Sequence, residues 1–171
     1  MGLWRPSLAL VLLAVAPSAL SGTTLCTKGE RTHFSCTVTK NKLLSVCGSN
    51  RLTAKSGYIQ YRFGTPSSVE LIYPPAKAHP NDHFYFHEAA YSGGYMAHLS
   101  FRVGAYRYVV YDHYSSAKSP RETNTKDAGV LVIEKSKTER YLKCRSPHDA
   151  RFDDANLLAV ILKHDDFFPY R

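Results

Sequence analysis

The chain has 171 residues and a formal net charge of +8, from 22 Lys and Arg against 14 Asp and Glu. With 44% hydrophobic and 21% charged residues it has the balance of an ordinary globular protein of one domain. A coiled coil, a multidomain enzyme, a polytopic membrane protein and a wholly disordered chain are excluded. Twelve Tyr and eight Phe, with many β-branched residues, lean toward sheet.

Residues 1–21 read as an address. Arg5 precedes an apolar run, 8–15, whose character continues to Leu20 around Pro17. That stretch is shorter than the roughly 20 residues a membrane-spanning helix needs. Ala19 and Ser21 put small residues at −3 and −1 of a cut before Gly22. The pattern is that of a secretory signal peptide, leaving residues 22–171 as a single disulfide-tied domain. Thr23, Thr24 and Leu25 precede Cys26 without the small residues of a lipoprotein signal, so the expected product is an exported protein that does not span the membrane.

Cys26, Cys36, Cys47 and Cys144 are an even set in an exported chain, which implies two disulfides among three possible pairings. Residues 32–38 and 43–47 read as strands. A tight turn at Asn41-Lys42 would set Cys36 opposite Cys47, within reach of a disulfide, and leave Cys26 to pair with Cys144. No C-x-x-C or close Cys/His quartet is present, so the spacing gives no zinc site and no metal is expected.

Short strands continue along the chain. Residues 57–64 alternate, with Ile59, Tyr61 and Phe63 on one side and Gln60 and Arg62 on the other. Residues 69–73 follow, stopped by Pro74-Pro75. Residues 83–88 form a further strand, then a turn at 91–94. Residues 95–103 and 106–114 make the longest hairpin, closed at Gly104-Ala105. Ala97, Leu99, Phe101 and Val103 share one face, as do Tyr106, Tyr108 and Val110. Residues 115–128 are polar and read as the one long loop. Residues 130–134 and 140–144 resume the sheet through a turn at 136–138. Acidic residues at 153–154 and Lys163 at the far end mark a short helix over 153–163. The expected fold is mainly all-β: an antiparallel meander closed as a barrel, a sandwich or a small propeller-like domain, with one short C-terminal helix.

The run Phe34-Ser35-Cys36, Ser45-Val46-Cys47, then 58–64 (YIQYRFG) and Val69-Glu70-Leu71 resembles a pattern in small exported bacterial proteins of unassigned function. It spans about residues 26–74 and implies a periplasmic or secreted setting; it carries over no catalytic residue. In size and architecture the chain is also similar, at fold level, to periplasmic lysozyme inhibitors and toxin immunity proteins.

The candidate chemistry is sparse. His83 and His87 share a strand face, but at that spacing sit too far apart for one ion, and H-E-x-x-H is absent. Asp112, His113, Ser115 and Ser116 bring an acid, a base and hydroxyls together in sequence, without a G-x-S-x-G elbow. Asp153-Asp154 suits a helix cap, and Asp165-Asp166 lacks calcium-loop spacing. Arg102 and Arg107 face each other across a turn, and the positive charge is otherwise spread. Export argues against nucleic acid as the partner. No catalytic set and no cofactor follow. The reading is a non-enzymatic binding protein that meets a protein partner through Tyr114, Ser115, Ser116, Lys118 and Arg121. Its role would be immunity against a cell-wall-degrading toxin, with an acidic or neutral effector suiting its charge. A carbohydrate- or envelope-binding module is the alternative, and a hydrolase around His87 or His113 the third.

Overall fold

The computed structural model describes residues 24–119, 121–134, 138–152 and 154–162. The signal-peptide segment, Asp153, Asp165, Asp166 and the turn at 136–137 lie outside the described residues. Among the described residues, nine strands form two antiparallel meanders. The first sheet has the order β1 (Glu30–Thr37), β2 (Leu43–Ser49), β3 (Ile59–Thr65) and β4 (Ser68–Tyr73). The second has the order β5 (Tyr85–Tyr91), β6 (Gly94–Val103), β7 (Tyr106–Ser115), β8 (Thr125–Glu134) and β9 (Thr138–Lys143). A helix, α1 (Asp154–Val160), follows. The sheets do not close into a barrel. Of the three expected architectures the chain adopts the sandwich, because each sheet buries the alternate side chains of its strands against the other.

Phe34, Leu44, Val46 and Tyr61 on the first sheet meet Phe86, Leu99, Phe101 and Val110 on the second in one core. Tyr73, Phe101 and Tyr108 stack through it at centroid distances of 4.6 and 5.0 Å. Phe152 enters from the C-terminal segment, 4.9 Å from Phe34 and 5.6 Å from Phe86, with Leu157 and Ile161 of the helix region behind it. The β6–β7 hairpin closes as its sequence implies: Val103 pairs Tyr106, and Gly104 takes φ +57°, where a side chain is disfavoured. Two expectations shift. The strand over 83–88 begins at Tyr85, after a 3-10 turn at Pro80–Asp82, so His83 is not on it. The long loop shrinks to 116–124, because Thr125–Glu134 is a single strand. Among the described residues, no helix is long and apolar enough to cross a membrane.

The disulfide pairing differs from the sequence expectation. Cys26 bonds Cys47, and Cys36 bonds Cys144. The β1–β2 connection does not turn at Asn41-Lys42. It runs through a 3-10 turn at Thr39–Asn41, with Lys40 and Asn41 at φ 56° and 57°, and Cys36 therefore pairs Leu44. Displacement by an odd number of residues flips the face of every side chain beyond it. Cys36 points into the sandwich and reaches Cys144 after β9, while Cys47 points outward and takes Cys26.

The segment carrying Cys26 lies on the outer face of the first sheet. Arg62 donates to both carboxylate oxygens of Glu30, at 2.7 and 2.8 Å, and also to Leu25 O at 3.0 Å and Gln60 Oε1 at 2.8 Å. Both side chains of this ion pair are buried. Burial works to raise the Glu30 carboxyl, but the donors Arg62, Tyr58 and Thr27 outweigh it and hold the group well below the usual carboxylate range. Leu25 N–H donates to Ser45 Oγ at 3.0 Å and completes the seam.

The two disulfides enclose loops of different length, with sequence separations of 108 and 21. Loop-closure entropy makes them worth about 5 and about 3 kcal/mol respectively. Urea unfolding of the Cys36→Ser/Cys144→Ser and Cys26→Ser/Cys47→Ser chains should therefore show the larger loss for the first pair.

Candidate binding surface at the tip of the second sheet

The residues expected to meet a partner gather at one end of the second sheet. Tyr114 and Ser115 are the last residues of β7, and Ser116, Lys118 and Arg121 belong to the loop that follows. Ser116 N–H donates to Gly93 O at 2.6 Å, and the Tyr91 hydroxyl donates to Tyr114 O at 3.0 Å, so the loop base rests on the β5–β6 turn. The loop is braced by its own polar side chains. Asn124 Oδ1 accepts from Ala117 N–H at 2.9 Å, and Glu122 Oε2 accepts from Lys118 N–H at 2.9 Å. Lys118 and Arg121 are exposed and form no ion pair among the described residues. Tyr91, 45% exposed, touches the loop base through its hydroxyl on Tyr114 O.

Beneath the loop base, on the inner face, lies a buried polar node. Tyr95 stacks on Tyr114 at 6.0 Å, its centroid 4.9 Å from Lys126 Nζ and 5.9 Å from Arg151. Lys126 Nζ contacts Asp112 Oδ1 and lies 2.6 Å from the Tyr95 hydroxyl. Tyr95 also donates to Asp112 Oδ1 at 3.3 Å, and Phe152 N–H donates to Asp112 Oδ2 at 3.2 Å. The polar composition of 115–128 placed 125–128 in the loop, whereas Thr125–Glu134 is one strand with Lys126 facing inward. The missing signal was an acid at a register position that could receive it.

The acid, base and hydroxyl group of 112–116 does not assemble. Strand alternation sends Asp112 inward and His113 outward. Asp112 is committed to Lys126, Tyr95 and Phe152, and His113 Nε2 instead meets His98 Nε2 at 2.6 Å. His98, which drew no attention in the sequence, pairs His87 across the β5–β6 hairpin. Three imidazoles thus share the outer face of the second sheet, while His83 packs edge-on to Tyr73 at 6.0 Å. Among the described residues, no group of three His, Cys, Asp or Glu is disposed to hold a metal ion. Burial pushes His98 down to about 3, helped by the positive potential of His113, His87 and Arg107. Burial also lowers His113 to about 4, with Lys126 acting the same way against the pull of Asp127 and Asp112. The pair is therefore neutral, one ring donating and the other accepting. Arg102 and Arg107 are directly opposed on this face, as their spacing implies.

Two open clefts complete the surface. One, of about 480 Å³, lies between the sheets, with Tyr61, Phe63, Tyr106 and Tyr108 among its walls and Arg140 at its edge. The other, of about 650 Å³, runs beside β1, with Thr32, Thr37, Arg145 and Arg151 along it. No protein-family model, curated protein or solved structure matches the chain.

The neutral histidine pair sets a pH dependence. Its folded-state pKa values, about 3 and about 4, lie below the ordinary 6.5. The unfolded chain thus takes up protons first, so the contribution is complete above pH 6.5 and fades as the pH falls toward 4. Thermal melts between those limits should show a falling midpoint, with a shallower slope in His98→Phe.

Proposed function

We propose that this chain is an exported binding protein without catalysis of its own, which blocks a protein partner through the 116–124 loop and the Tyr91–Tyr114 edge. The class of role is immunity: occluding the cleft of a cell-wall-degrading toxin in the periplasm or outside the cell. The observation that carries the reading is the loop itself. It is held at its base by two strands and braced by Glu122 and Asn124, yet it leaves Lys118 and Arg121 exposed and without ion pairs among the described residues. A pre-ordered loop loses little entropy on docking, and exposed cations steer association with an acidic surface. Two formed disulfides suit an oxidising compartment.

The partner to test is an effector encoded beside this chain, co-expressed in the periplasm. Wild-type protein should rescue growth and co-purify with the effector. Lys118→Glu/Arg121→Glu should weaken the complex about tenfold or more, mainly through slower association and a flatter salt dependence. Its urea midpoint should not change. Undiminished affinity in this variant would remove the loop from the interface.

The intersheet cleft favours a second reading, an envelope-carbohydrate module. Tyr106, 41% exposed, offers a flat apolar face to a sugar ring, and Arg140 sits near it. On that reading, sedimentation with purified peptidoglycan should persist across a salt series and be lost in Tyr106→Ala. Retention that disappears with modest salt would mark charge attraction alone.

A further inference from the structure

We propose that the Lys126 amine and the Asp112 carboxyl condense within the folded chain to an amide, a covalent staple between β7 and β8 beneath the 116–124 loop. The inference does not depend on the partner reading. Both side chains are withdrawn from water, with exposures of 5% and 0%. Lys126 Nζ is in direct contact with Asp112 Oδ1, and the carboxyl is fixed from its other side by Phe152 N–H at 3.2 Å. The Tyr95 hydroxyl reaches both reactants, 2.6 Å from Nζ and 3.3 Å from Oδ1. The cross-strand neighbours of Asp112 are Ala97 and Ala128, both fully buried, so its immediate walls are small and apolar.

Each feature answers a requirement of amide formation. Holding amine and acid in contact removes the entropic part of the barrier. A dry site denies both groups the solvation that would hold them apart as hydrated ions. Transfer of one ammonium proton to the carboxylate gives the neutral amine and acid. The Nζ lone pair then attacks Cγ, and a C–N bond forms. Tyr95 relays a second amine proton to the departing oxygen, and the C–O bond breaks. Two of the three ammonium protons leave with one carboxylate oxygen as water, and no oxidant or activating group is consumed. A buried site also excludes the water that would reverse the reaction.

The staple would close a ring from 112 to 126 and fix the base of the loop independently of the hydrogen bonds above it. The test is the intact mass of the purified wild-type chain, denatured and fully reduced, against the mass calculated from its sequenced N-terminus. The expected mass is lighter by one water, and tandem mass spectrometry of a protease digest should find Lys126 joined to Asp112. The full calculated mass would overturn the proposal. A water loss mapped to any other residue, such as a succinimide, would overturn it too. Lys126→Arg should restore the full mass; where that variant fails to fold, the wild-type digest alone decides. A Tyr95→Phe chain that condenses at the wild-type rate would overturn the role given to that hydroxyl.

Discussion

Asp112 is the constraint around which the second sheet is arranged. Its carboxylate is fully buried on the inner face of the sheet, where an uncompensated charge would cost on the order of several kcal/mol. Three donors offset that cost, and they come from three parts of the chain: Lys126 of β8, Tyr95 of β6 and the backbone of Phe152. One residue of β7 thereby fixes how the neighbouring strands end and where the C-terminal segment crosses the sandwich. Phe152 then fills the space between Phe34 and Phe86. The loop above inherits its position from this node.

The outer face of the first sheet solves the same problem differently. Arg62 and Glu30 form a two-point ion pair, and Tyr58, Thr27, Gln60 and Leu25 supply or accept the other hydrogen bonds. Such a network contributes modestly to stability, because both charges were removed from water, but it rewards one arrangement of the N-terminal segment over all others. The Cys26–Cys47 bond ties that same segment a few residues away. By contrast, much of the chain's excess positive charge is exposed: Lys118 and Arg121 at the loop, Arg145 and Arg151 beside β1, Arg140 near the intersheet cleft. The excess positive charge lies on the surface, and the charges paired within the fold lie beneath it.

The strands were legible because alternation is written directly in residues such as Ile59, Tyr61 and Phe63, and hairpins because Gly104 marks its own turn. Pairing across the β1–β2 connection was not. Lys40 and Asn41 adopt left-handed backbone, which asparagine tolerates and lysine gives no hint of, and that choice decides whether Cys36 and Cys47 share a face. Residues 125–128 were read as loop for a related reason: an inward charge such as Lys126 fits a strand only once its partner's register is known. The pairing of His87 with His98 could have been found by counting outward from the 92–93 turn. The His98–His113 contact could not, since it joins a diagonal pair whose closeness depends on sheet twist. The tip residues were found as a group because polar sequence between two strong strands marks a loop, though its end came earlier than composition implied.

The crossed order of the cystines has a consequence for biogenesis. The four thiols emerge as 26, 36, 47 and 144, but the bonds join first to third and second to fourth. A chain entering an oxidising compartment N-terminus first presents three thiols long before the last arrives, and the earliest available partner of Cys26 is the wrong one. The β1–β2 ribbon, which ends at Ser49, supplies the discrimination by turning Cys36 and Cys47 to opposite sides. Cys36 and Cys144 are 108 residues apart, so the longer bond cannot close until the second sheet is present.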